Sequence, residues 1–122
     1  MDAGEESRKA REEIAEGFRR CAATITALGD ENRQRIVCAM LLNERPGMRI
    51  EEITSHTELS RPAVSHHVKV LKDAGIVTVS RKGTMNFYCL DPHNDSWQVL
   101  ADLSRRILAY SREFPGCKEE QT

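Results

Sequence analysis

Between Leu59 and Val77 the chain reads LSRPAVSHHVKVLKDAGIV, and the side chains able to make directed polar contacts gather on one side of it. If the stretch is helical, an advance of about 100° per residue brings Val68 and Leu71 within about 40° of Val64. Pro62, Ser65, His66 and Lys69 then lie roughly 100° to 200° away, facing opposite those three. Hydroxyl, imidazole and ammonium groups on that face can donate hydrogen bonds, and the small residues Ser60, Pro62, Ala63 and Ser65 permit close approach to a surface rich in acceptors. Arg61 and Lys69 add positive charge, and Arg81 and Lys82 follow downstream. The whole chain carries a formal net charge of −1, yet between Ser60 and Gly83 the five cations Arg61, Lys69, Lys72, Arg81 and Lys82 stand against the single anion Asp73. A basic patch on an otherwise acidic body favours an oriented contact with a polyanion over indiscriminate adhesion.

Other chemistries are poorly served. Cys21, Cys38, Cys89 and Cys117 stand far apart with no CxxC or CxC pair, so reduced, structurally passive thiols are expected. His56, His66, His67 and His93 are scattered at separations that suit hydrogen bonding better than a metal shell, and no cofactor is expected. There is no nucleophile elbow, glycine-rich phosphate loop, His-Glu-x-x-His or plausible carboxylate pair, so the chain does not read as an enzyme. No window approaches the ~18 apolar residues of a membrane span, and MDAGEESRKAREE lacks the apolar centre of a signal peptide. A cytoplasmic location is expected.

The elements that position the polar face follow from periodicity and punctuation. With 122 residues, 39% of them hydrophobic, one compact domain is expected. Its predicted divisions are an N-terminal helix over 1–28, a central core over 29–93, a C-terminal helix over 94–114 and a loose tail over 115–122. From about Ser7 to Leu28 the apolar residues Ile14, Phe18, Cys21, Ile25 and Leu28 recur in a narrow stripe suited to another helix. Gly29 breaks the pattern, and Asp30 is placed to cap a helix from Glu31 to about Asn43 with Ile36, Val37, Met40 and Leu41 inward. Met48 to Ile50 allows a scrap of strand, and Glu51 to His56 a short helix with Ile53 inward. Ser60 as N-cap, Pro62 in a first turn and Gly75 as a left-handed terminator bracket a helix of about Arg61 to Ala74. IVTVSRKGTMNFYCL, split at Lys82-Gly83-Thr84, reads as a β-hairpin. A last helix from Ser96 to about Phe114 aligns Trp97, Leu100, Leu103, Ile107 and Tyr110.

Two short helices joined by a tight turn, the second exposing small polar and basic side chains, have the form of a helix-turn-helix whose second helix enters the major groove of double-stranded DNA. Arg61 and Lys69 would reach flanking phosphates, and the hairpin tip, with Arg81 and Lys82, would act as a wing against the DNA backbone or minor groove. The expected fold class is mainly α with a small β-hairpin wing. A winged helix that binds another protein is the rival reading, because fold alone does not set function.

ALGDENRQRIVCAML, LSRPAVSHHVKVLKDAGIV, and VSRKG with FYCLDP after it resemble the motifs of the ArsR/SmtB family of winged-helix transcriptional repressors, over about Leu28 to Pro92. The resemblance implies a homodimer built from the first and last helices. It also implies a partly palindromic operator met by two recognition helices about 34 Å apart, and release of DNA when an effector binds. The thiol-rich metal site of the arsenic and cadmium sensors would need cysteines in IEEITSHTEL, which offers only His56. A second family site joins Asp-x-His at the start of the last helix to His-x-x-Glu further along. Asp91 and His93 match its first half, but Ser104 and Ile107 occupy the later positions and cannot complete a zinc shell. Cys38 stands where redox- and persulfide-responsive relatives carry a reactive cysteine, and its partner would have to be Cys117, reached only if the tail folds back or meets the other subunit. Otherwise Cys38 packs as a small hydrophobe. The effector is left open.

Overall fold

The computed structural model describes residues 2–91, 93–114 and 116. In chain order the elements are α1 (Ala3–Leu28), α2 (Glu31–Leu42), α3 (Ile50–Ser55), α4 (Arg61–Asp73), β1 (Val77–Lys82), β2 (Met85–Leu90) and α5 (Asp95–Glu113). The scrap of strand expected at Met48 to Ile50 shrinks to a bridge: Met48 exchanges both backbone hydrogen bonds with Tyr88, and Ile50 already opens α3. The contacts divide the chain into two compact units, Met1–Ala22 with Gln98–Thr122, and Ala23–Trp97.

The unit Ala23–Trp97 holds the main core, in which Ile36 and Met40 of α2, Ile53 of α3, Val64, Val68 and Leu71 of α4, and Ile76 and Val77 at the start of the hairpin are buried together. Local chemistry sets where α4 starts and stops. Ser60 Oγ accepts the Ala63 N–H at 3.3 Å as N-cap, with Pro62 following in the first turn, where a missing N–H costs nothing. At the other end Gly75 takes φ +80°, its N–H donates to Lys72 O at 2.9 Å, and the Ile76 N–H donates to Leu71 O at 3.0 Å. This is a Schellman cap, completed by apolar contact between buried Leu71 and buried Ile76. Ser96 Oγ donates to the Ala74 carbonyl at 2.8 Å, so the start of α5 closes another orphan acceptor at the same helix end.

The hairpin turns in two residues, Gly83-Thr84, with Lys82 opposite Met85 and Gly83 at φ +64°. Glycine at the first central position of a two-residue loop gives the twist that joins antiparallel strands without splaying them.

In the other unit the α1 segment up to Ala22 and the α5 segment from Gln98 bury Cys21 and Leu103. A Cβ on Gly17 would stand 3.0 Å from Leu103 Cδ1, so glycine allows a close approach of the two helices there. Arg106 donates to Glu13 at 3.0 Å and to Asp102 at 2.9 Å, and its guanidinium holds the Asp102 carboxyl below the usual carboxylate range. The stripe expected on α1 is only partly buried, since Phe18 remains 50% exposed.

Gly75 yields a stability prediction. A methyl group there is forced into a left-handed backbone and would lie 2.7 Å from Asn94 Oδ1, an atom already accepting the Ser96 N–H at the start of α5. Gly75→Ala is therefore expected to destabilise the fold by about 2 kcal/mol or more, read as a lower midpoint in urea or thermal unfolding. A midpoint equal to wild type would remove the cap from this account.

Candidate nucleic-acid interface

Val64, Val68 and Leu71 are fully buried, so α4 has one axial orientation, and Arg61, Pro62, Ser65, His66 and Lys69 are exposed on its other side. Ala63 is half-buried and gives its N–H to the Ser60 cap, which leaves the Ser60 hydroxyl proton free to donate outward. Arg61 Nη2 donates to Glu51 Oε1 of α3 at 2.7 Å, and Lys69 Nζ to Asp73 Oδ2 one turn along the same helix at 3.1 Å. On the wing, Arg81 Nε donates to the Gly83 carbonyl at 3.1 Å, and Lys82 Nζ stands 5.6 Å from the centre of the Phe87 ring. The register sets Arg81 opposite Asn86, so both wing cations flank the turn.

A cleft of about 320 Å³ brings Arg61 and Ser65 together with Arg49, Glu51, Thr84 and Asn86. His66 and Lys69 lie outside its lining. Sequence reasoning missed Arg49, Glu51 and Asn86. Asn86 was legible in principle, because a two-residue turn at Gly83-Thr84 places it across from Arg81. Arg49 is drawn to the wing by a tertiary contact with no local signature, its Nη1 lying 3.4 Å from Met85 Sδ.

His67, beside the buried side of α4, has a different task. Arg33 Nη1 lies 3.2 Å from its Nδ1, while Arg33 Nε donates to Ala27 O at 2.7 Å and Nη2 to Thr26 O at 3.1 Å. With Gln34 Nε2 donating to Leu28 O at 2.6 Å, side chains from α2 close the carbonyls left over at the end of α1. Accepting from a guanidinium fixes His67 Nδ1 as the unprotonated nitrogen. Asp30 begins α2 by accepting the Arg33 N–H at 3.0 Å; that hydrogen bond, aided by the charge of Arg33, holds its carboxyl below the usual carboxylate range.

The positions weighed for sensing are placed as follows. Cys38 is exposed on α2, not packed as a small hydrophobe, because Ile36 and Met40 fill the inner face of that helix. Leu41, expected inward, is likewise exposed, at 67%. Cys117 lies outside the described residues. Asp91 Oδ1 accepts the His93 N–H at 3.0 Å, closing an Asx turn at the exit of β2, and Ser104 Oγ donates to Leu100 O at 3.1 Å. Among the described residues no group of three or more His, Cys, Asp or Glu side chains is gathered for a metal.

Residues 30–79, from the cap of α2 into β1, match the family described as bacterial regulatory protein, arsR family. An uncharacterised HTH-type transcriptional regulator of Methanocaldococcus jannaschii is 37% identical over 73 residues, a stretch covering 60% of this chain and 80% of that protein. The chain belongs to the ArsR family. This ArsR-family chain is a DNA-binding transcriptional regulator and not an enzyme. It is also similar to the transcriptional repressor SdpR of Bacillus subtilis, 31% identical over 65 residues, covering 53% of this chain and 69% of that one. A solved structure of a possible transcriptional regulator for arsenical resistance superimposes with a TM-score of 0.54 at 28% identity, covering 71% of this chain and 82% of that one. The family match ends at residue 79, so the wing cations Arg81 and Lys82 lie beyond it. No helix among the described residues is long and apolar enough to cross a membrane.

Because the Asp30 carboxyl is held down in the folded state, its cap stabilises α2 fully above the usual carboxylate range and is lost as pH falls through the lowered value. Asp30→Ala is expected to unfold at lower urea than wild type near neutral pH, with the gap narrowing on acidification. A gap independent of pH would mean that the carboxylate charge plays no part in the cap.

Proposed function

We propose that two copies of this chain pair through α1 and α5 and act in the cytoplasm as a repressor on a partly palindromic operator, until an effector releases the DNA. The observation that carries the reading is the face of α4: Ser65, His66 and Lys69 are exposed opposite three buried anchors, with the basic wing tip in the same compact unit. In the major groove Ser65 and His66 meet base edges, and the small residues Ser60, Pro62 and Ala63 let the helix approach. Lys69, Arg81 and Lys82 meet phosphates, which position the protein without selecting sequence. The name of SdpR as a transcriptional repressor supports repression. Pairing is supported by Phe18, Ile107 and Leu108, which stay 50%, 38% and 53% exposed on the unit formed by α1 and α5, large apolar groups that a second copy would cover.

The exposure of Cys38 favours a thiol-responsive form of the same repressor, with Cys117 as the second thiol. Thermal-shift measurements with thiophilic metals, oxidants and persulfide donors, repeated on Cys38→Ser, would test that form. A shift that persists in the variant would remove Cys38 from sensing.

Binding to duplex DNA is expected to weaken steeply with salt, at about −0.9 in the log–log slope for each phosphate contact. Lys69→Ala and Arg81→Ala should weaken all duplexes alike, while Ser65→Ala or His66→Ala should change which duplexes are preferred. A flat salt response would instead favour a winged helix that docks on protein. Ile107→Glu should shift sedimentation toward the monomer and weaken operator binding, and an unchanged dimer would exclude α5 from the pairing surface.

A further inference from the structure

Among the described residues one ion pair joins α3 to α4, the two helices of the helix-turn-helix: Arg61 Nη2 donates to Glu51 Oε1 at 2.7 Å, with the side chains 66% and 53% exposed. For a phosphate contact this arrangement is counterproductive. A carboxylate at hydrogen-bond distance offsets the guanidinium charge, so the pair draws a polyanion weakly, and Glu51 itself repels any phosphate brought to Arg61.

For reading a base the same arrangement is useful. Guanine presents two uncharged acceptors, O6 and N7, spaced to accept two N–H groups from a planar fork. Of the five guanidinium protons Glu51 engages one, and no other hydrogen-bond acceptor meets the Arg61 side chain among the described residues. Arg61 is the first residue of α4, and the N-terminal residues of a recognition helix are those that reach base edges. Ser65, one turn further on, lines the same cleft as Arg61 and Glu51. The other interface cations are held differently. Arg81 bonds a backbone carbonyl, Lys82 rests near an aromatic ring, and the partner of Lys69 lies on its own helix.

We propose that Arg61 reads a guanine through O6 and N7, and that Glu51 is the positioning residue that holds its guanidinium for that purpose. This replaces the phosphate contact that the charge of Arg61 alone suggests, and it rests on α4 entering the major groove as proposed above.

Selection from a randomised duplex pool, followed by titrations over a range of salt, tests it with four proteins beside wild type: Arg61→Gln, Glu51→Gln, the double variant Glu51→Ala with Arg61→Ala, and Arg81→Ala. Wild type should enrich one guanine per half-site by roughly 5- to 150-fold over other bases. Arg61→Gln should move that single preference toward adenine, whose N6 and N7 suit an amide, and Glu51→Gln should relax the same position and no other. The double variant should lose the preference while keeping the salt slope of wild type, whereas Arg81→Ala should lower the slope by about 0.9. If Arg61→Gln selects the same sequence as wild type, or if the double variant weakens all duplexes equally with a reduced slope, the assignment of Arg61 is overturned. Should wild type itself select no sequence, the entry of α4 into the groove fails first, a result distinguishable from failure of Arg61 alone.

Discussion

The burial of Val64, Val68 and Leu71 fixes the roll of α4 about its own axis, and the face proposed to meet DNA is a consequence of that roll. A rotation of 100°, the angle between neighbouring residues, would exchange Val64 for Ser65 at the core and expose an anchor in its place. Each apolar side chain taken fully out of water contributes about 1.5–3 kcal/mol, so the three together supply up to roughly 5–9 kcal/mol. The surface ion pairs around the helix, Lys69 with Asp73 and Arg61 with Glu51, contribute about 0–1 kcal/mol each. The apolar side therefore decides which way the helix faces, and the charged side is left to be exchanged for a ligand without unfolding anything.

Charge does have a structural role where it is partly withdrawn from solvent. Arg33 reaches the carbonyls of Thr26 and Ala27 and the ring of His67, so one guanidinium joins the end of α1, the start of α2 and the flank of α4. A lysine carries three donors on a single atom and could not span those directions, whereas the guanidinium fork holds its donors apart in a plane. His67 belongs to the frame that holds α4 in place, while its neighbour His66 lies on the exposed face proposed to read DNA. Adjacent residues of one type thus serve opposite sides of one helix because the 3.6-residue period separates them.

Features with a local cause were legible in the sequence. Asp30, Ser60, Gly75 and Gly83 each act through residues within five positions along the chain, and the starts of α2 and α4, the cap of α4 and the hairpin turn all stand where those residues pointed. Periodicity likewise gave the three anchors of α4. It gave less on α1 and α2, because an apolar stripe shows that something covers it but not how much of its width is covered. Ile36 and Met40 suffice to seat α2, which leaves Leu41 and Cys38 outside. Arg61 with Glu51 lies ten residues apart, across a turn, and Arg33 with His67 thirty-four apart, across two elements. Neither spacing has a pattern to recognise, since each depends on how finished helices pack.

The same magnitudes bear on how an effector could release DNA. Coupling between separate sites is typically about 1–3 kcal/mol. That is less than the burial holding α4, so an effector of ordinary strength cannot unseat the helix or turn its reading face inward. In the proposed dimer a cheaper change is available, because the two recognition helices must match grooves about 34 Å apart and neighbouring base pairs are separated by about 3.4 Å. Altering the separation of the two α4 helices by one such step leaves each intact core untouched and sets Ser65 and His66 against the wrong bases. In that proposed dimer a stiffly seated α4 would direct regulation toward α1 and α5, where the exposed apolar side chains Phe18, Ile107 and Leu108 offer packing that could be rearranged at lower cost.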